Sequence, residues 1–182
     1  MRADEIIITV SGLHGVGKTV YSEAISEKFG LTTHSSGEFF RRKAEEMGLT
    51  LRELSALADK DEKIDLEIDD YAKREGMKGG VVVDGLLTGW MLKDRAHVKI
   101  FLKAPLEERV RRIAEREGKS LGEAKLETLD RERLEMERFK RIYGLDLNDL
   151  SIYNVVLDTS LLSLEHIKRV LFEIIEGYLK TH

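Results

Sequence analysis

The chain has no cysteine, a single proline and no long apolar run. Without cysteine there is no disulfide, no zinc finger and no thiol chemistry, a composition compatible with a reducing compartment. No hydrophobic stretch approaches the ~20 residues that span a bilayer as a helix. The N-terminus runs into an apolar strand pattern with no signal segment ahead of it, so a cytoplasmic location and no membrane partner are expected. Positive charge is not in excess either. Lys and Arg number 30 against 34 Asp and Glu, a net charge of −4, and bulk nucleic-acid binding needs a basic footprint that is missing here. Internal repeats and low-complexity tracts are absent. What is present is 182 residues, 42% hydrophobic, enough for one globular domain with a core of its own.

The informative stretch is Gly12-Leu13-His14-Gly15-Val16-Gly17-Lys18-Thr19, which fits G-x-x-x-x-G-K-[ST] at every fixed position. Before it, Ile6 to Val10 is a β-branched apolar run suited to a buried strand. After it, Val20 to Phe29 carries Ala24, Ile25 and Phe29 at helical spacing, and Gly30 stops the helix. Strand, glycine loop and helix form a phosphate-binding loop. Successive backbone N–H groups cradle phosphate oxygens at the positive end of the helix. Lys18 supplies a point charge for the β- and γ-phosphates, and the Thr19 hydroxyl is a hard oxygen ligand for Mg²⁺. A nucleoside triphosphate, ATP, and Mg²⁺ are therefore expected. His14 occupies a free position of the loop, either against the phosphates or facing solvent.

Further along, Gly30 to Ser35 reads as a short second strand built on Leu31, Thr32 and Thr33, and Ser35-Ser36-Gly37 turns into a helix with Ser36 as its N-cap. Thr50-Leu51-Arg52-Glu53 is a capping-box pattern opening a helix to about Ala58. Asp59 to Asp70 is heavily acidic. Its first reading is a solvated helix face; the alternative sets Asp65 or Asp69 on a substrate hydroxyl or base. Val81-Val82-Val83 is a buried strand ending in Asp84-Gly85. Ligands sit at the carboxyl ends of strands in open α/β sheets, so Asp84 is expected beside the loop, orienting Mg²⁺ or its waters. Val98 to Leu102 and Asn154 to Asp158 are further strands, and Leu164 to Leu179 is an amphipathic helix. Between them lies a charged segment, Gly118 to Gly144. It is either a salt-bridged exposed helix or a lid that closes arginines over phosphates. The alternation predicts an α/β fold, a five-stranded parallel sheet flanked by helices, and analogy with other phosphate-loop proteins implies the strand order 2-3-1-4-5.

These features together resemble a nucleoside monophosphate kinase of the phosphate-loop class, and within it the compact archaeal-type cytidylate kinases. The resemblance rests on Ser36 to Arg41, Asp84-Gly85 with Thr88-Gly89-Trp90, Ala104-Pro105 with Glu108-Arg109 and Arg112-Ile113, and Tyr143 to Asp146 through Asp149 to Tyr153. It implies one kinase domain: a core of residues 1–35, 78–117 and 152–182, acceptor-binding helices in 36–77 and an arginine-rich lid in 118–144. It implies that Ser36 and Arg41, with Asp84 and Gly85, hold the acceptor nucleotide. Arg112 and Arg116 would lie along the donor's adenine and phosphates. Arg131 would come from the lid, Arg138 would bridge both sets of phosphates, and Glu135 would sit near the acceptor sugar. The implied partners are small nucleotides, most simply CMP or dCMP, and nothing calls for more than a monomer. Two positions depart from the pattern, one of them Asp70, where the family implies a basic residue. The family carries an arginine after the strand-end Asp-Gly, and here that residue is Leu86, with Arg42 and Lys93 as candidate substitutes. That departure keeps open a kinase for another acceptor, or a nucleotide-binding regulatory protein.

Overall fold

The computed structural model describes residues 1–182. Strand β1, Ile7–Ser11, is buried along its whole length. It alternates Ile8 and Val10 toward one face and Ile7 and Thr9 toward the other. Such two-sided burial places it at the centre of a parallel sheet. The chain continues as α1 (Lys18–Phe29), β2 (Thr32–Ser35), α2 (Ser36–Glu46), α3 (Leu51–Ala58), α4 (Lys63–Gly76), β3 (Val81–Asp84), α5 (Thr88–Met91), β4 (Val98–Lys103), α6 (Leu106–Glu117), α7 (Leu121–Tyr143), β5 (Val155–Asp158) and α8 (Leu164–Thr181). The five strands are all parallel in the order β2-β3-β1-β4-β5, as expected.

Apolar layers cover both faces of the sheet. Ile6, Ile8 and Val10 join Ile25 of α1 and Ile167, Leu171 and Ile175 of α8 on one side. Ile7, Val81 and Val83 meet Ala72 of α4 with Leu92 and Ala96 on the other. Helices α2 to α4 carry a separate small core of Phe40, Ala44, Leu54, Ala58, Ile64 and Ile68. No helix is long and apolar enough to cross a membrane.

Register positions the site. Val10 pairs with Asp84, and Asp84 with Ser35, so β1, β2 and β3 deliver their carboxyl ends side by side. Three expectations need correction. The second strand ends at Ser35 as expected, but Ser35 rather than Ser36 caps α2, its hydroxyl accepting from the Glu38 N–H at 3.3 Å. Ser35 is the last extended residue and helical geometry begins at Ser36, so the cap falls one position earlier. The acidic segment is not simply a solvated face, because Asp65 and Asp69 are both buried. Nor is α7 simply an exposed salt-bridged helix: Ala124, Thr128, Glu132, Glu135, Arg138 and Phe139 form a buried stripe at helical spacing.

Candidate active site

The phosphate loop leaves β1 and is pressed against α6. A Cβ on Gly15, whose φ is +82°, would lie 2.6 Å from the Arg109 carbonyl oxygen, so no larger residue fits there. Lys18 opens α1 and folds back over the loop, donating to the carbonyls of Gly12 (2.7 Å) and Leu13 (3.1 Å). Burial pushes its ammonium down to a pKa of about 8, against the pull of Asp84 and Glu135. Thr19 follows in the first turn, half-buried.

Asp84 stands at the end of β3, 1% exposed. Its Oδ1 accepts from the Ser35 hydroxyl at 2.8 Å, while its Oδ2 is buried with no partner. Burial raises the carboxyl pKa, with Lys18 and then Ser35 opposing the rise. A buried carboxylate oxygen without a partner, beside the Lys18 end of the loop, is a donor suited to a hard cation and its waters, and Mg²⁺ fits it. Ser36 closes on the strand end, since a Cβ on Gly85 would meet its Oγ at 2.7 Å. Arg41 is exposed and contributes to the field at Asp84.

Helix α7 supplies the opposite wall. His14 Nε2 lies 2.7 Å from Glu135 Oε2, and Arg131 Nε donates to Glu135 Oε1 at 2.9 Å. Burial works against the Glu135 charge, yet His14 and Arg131 hold its pKa below the ordinary carboxylate range. Glu135 was expected near the acceptor sugar; here it is committed to the phosphate loop, because α7 brings it directly over His14. The Arg131 guanidinium sits 5.7 Å over the Phe40 ring, linking the loop side to α2. One turn on, Arg138 is 2% exposed and pairs with Asp65 of α4, Nε to Oδ2 at 2.5 Å and Nη2 to Oδ1 at 3.4 Å. Its Nη1 makes no hydrogen bond and lies 3.9 Å from the Asp59 carboxylate. Farther still, the Tyr143 hydroxyl donates to Asp69, whose burial raises its pKa to about 6.

The expected donor-side arginines separate. Arg112 reaches the loop, donating to the Gly15 carbonyl at 3.3 Å and to Thr159. Arg116 does not, being spent on exposed Glu117 at 2.6 Å. Both candidate substitutes for the arginine absent at Leu86 are exposed. Arg42 lies 5.3 Å over Phe39 and 3.9 Å from Glu46. Two residues at the loop escaped the sequence reading. Arg109 donates to the His14 carbonyl at 3.0 Å and pairs with buried Glu132, and Thr159 donates to the Val16 carbonyl at 3.1 Å. Thr159 follows β5, so the strand-end rule that selected Asp84 was the signal available for it; Arg109 stood among the residues carrying the resemblance, but with no role at the loop.

The cytidylate kinase-like family matches residues 7–161, from β1 through the residues just after β5. The chain belongs to that family. Its relatives include the cytidylate kinase of Staphylothermus marinus, 43% identical over 175 residues, covering 96% of this chain and 99% of the relative. The cytidylate kinase of Aeropyrum pernix is 44% identical over 164 residues, with coverage of 90% and 95%. Among solved structures, the family's fold extends to shikimate kinase from Acinetobacter baumannii. That structure has a TM-score of 0.64, 15% identity, and coverage of 96% of this chain and 95% of the other. A gluconokinase from Sinorhizobium meliloti has a TM-score of 0.62 at 18% identity, with both chains covered in full. These two likenesses concern fold alone. Family membership is the stronger finding.

Proposed function

We propose that this protein transfers the γ-phosphoryl group of ATP to a nucleoside monophosphate, CMP or dCMP. The observation that carries the reading is the meeting of an intact phosphate loop, the partnerless Oδ2 of Asp84 and the α7 cations in one cleft. Relatives named cytidylate kinase supply the acceptor, and weigh against the other acceptors and the regulatory role that Leu86 kept open.

The transition state spreads negative charge over the transferring group, so positioning and fixed cations do most of the work. Lys18 leaves the Gly12 and Leu13 carbonyls to meet the donor's β- and γ-phosphates. Arg131, between His14 and Phe40, stands where donor and acceptor phosphates meet. Arg138 keeps an Nη1 without a hydrogen-bond partner for an acceptor phosphate while Asp65 holds Nε and Nη2. Ser36 and Arg41, from helices 36–77, and Gly85, after β3, line the acceptor side, and α7 provides the lid. Thr19 and, through water, Asp84 would hold Mg²⁺, which neutralises phosphate charge. No general base is required, because the attacking oxygen already belongs to a phosphate. Enclosure beneath α7 excludes water that would otherwise hydrolyse the triphosphate.

The test is turnover of the purified chain with Mg-ATP against CMP, dCMP, UMP, AMP and GMP, following ADP release with a no-acceptor control. Fast turnover confined to CMP and dCMP is expected. ATP binding without turnover on any nucleotide would sink the reading.

A further inference from the structure

Three consecutive carbonyls of the phosphate loop are tied down from behind. His14 O accepts from Arg109 Nη1 at 3.0 Å, and Gly15 O from Arg112 Nη1 at 3.3 Å. Val16 O accepts from the Thr159 hydroxyl at 3.1 Å. A trans peptide is planar, so its C=O and the next residue's N–H point in opposite directions. Anchoring these carbonyls outward therefore turns the N–H groups of Gly15, Val16 and Gly17 inward. Within the chain those three N–H groups have no acceptor.

The anchors are themselves fixed. Arg109 is 6% exposed and forks onto Glu132 of α7, and Arg112 donates to both the hydroxyl and carbonyl oxygens of Thr159. Thr159 is 3% exposed, and its one proton is shared between Val16 O and Lys103 O (3.3 Å). Two arginines and a hydroxyl around one loop form a built clamp, because each group has its remaining partners in rigid elements.

We infer that Arg109, Arg112 and Thr159 are positioning residues that aim the Gly15, Val16 and Gly17 N–H groups at the donor's phosphates. This rests on the reading of the loop as the ATP site. The clamp lets the loop present a preformed nest, since turning three peptides inward at the moment of binding would cost affinity. Each anchor governs one N–H: Arg109 that of Gly15, Arg112 that of Val16, Thr159 that of Gly17.

Thr159→Val keeps the volume and removes the hydroxyl; Thr159→Ser keeps the hydroxyl. The Val variant is expected to raise KM for ATP about 10-fold, the scale of one misaligned hydrogen bond, with KM for CMP moving less than twofold. The Ser variant is expected to restore it. In amide spectra, Mg-ATP is expected to shift the Gly17 N–H in wild-type and Ser protein, but much less in the Val variant, which keeps its Gly15 shift. Arg109→Lys, the second variant should Thr159→Val not fold, is expected to weaken the Gly15 shift instead. An unchanged KM for ATP in folded Thr159→Val, equal rises for ATP and CMP, or failure of Ser to restore would overturn the clamp. A wild-type chain that bound no Mg-ATP would overturn the donor-site reading itself, and the clamp with it.

Discussion

Burial brings the Lys18 ammonium to about pKa 8, so in the free protein its charge is lost as pH rises through that value. The ratio kcat/KM for ATP reports free-enzyme ionisations, and is expected to fall with unit slope above about pH 8. With phosphates against the amine its charged form is favoured, so kcat is expected to hold to higher pH. Rate profiles at saturating and limiting ATP would separate the two; parallel profiles would mean that Lys18 is not the titrating group. Asp84→Asn retains an oxygen for the Ser35 hydroxyl while removing the charge on Oδ2. It is expected to fold, to lose about 10²-fold in kcat, and to need more Mg²⁺ for half-maximal rate, which a Mg²⁺ titration measures. Both residues were legible in the sequence because their signal is local: a fixed spacing in one case, a strand end in the other. Arg109 and Thr159 were not. Their bonds go to backbone carbonyls 95 and 143 positions away, and a carbonyl leaves no residue type to pair with in the sequence.

Among the elements, α4 and α7 face each other through groups that charge counting had sent to the surface. Asp65 meets Arg138, and Asp69 accepts from Tyr143. Asp69 has a folded pKa of about 6 against an unfolded value of 3.8, so the native state binds its proton more tightly. The stability it contributes is fully present below pH 3.8 and is lost as pH rises through about 6, on the order of 2–3 kcal/mol. Asp69→Asn keeps an acceptor for Tyr143 without the charge. Denaturation at pH 5 and pH 7.5 is expected to show the wild type losing more stability than the variant; equal losses would remove Asp69 from the account. The boundaries of these helices divide in the same way. The Thr50–Glu53 capping box is a contact three residues long, and it stands in the structure as read. The cap shifted to Ser35 because where extended backbone gives way to helix is decided by the pairing of β2 with β3, which local pattern does not carry. Interleaved charge along α7 likewise fixed a helix without saying which stripe would be buried, since that depends on α4 and the phosphate loop lying on either side.

For the molecule as a whole, the parallel sheet followed from alternating elements, while the strand order came from likeness to other phosphate-loop proteins and stands in the structure as expected. The placement of α7 needed tertiary packing. Its 23 residues form a rod of about 35 Å at 1.5 Å per residue. Glu132 and Glu135 hold its middle to Arg109 and the phosphate loop, while Arg138, Arg141 and Tyr143 hold its far end to α4 and the segment before it. One rigid body thus touches both of the proposed nucleotide sites, and thermodynamic linkage then obliges any coupling between them to be equal in both directions. Whatever factor ATP applies to the affinity for CMP, CMP must apply to the affinity for ATP. Calorimetric titrations of each nucleotide, with a nonhydrolysable analogue of ATP, are expected to give one factor above unity in both directions. Asp65→Asn, by loosening the far end of α7, is expected to bring both toward one together. A cell poor in CMP would then find this protein holding ATP less tightly, so the triphosphate pool is engaged in proportion to the acceptor waiting for it.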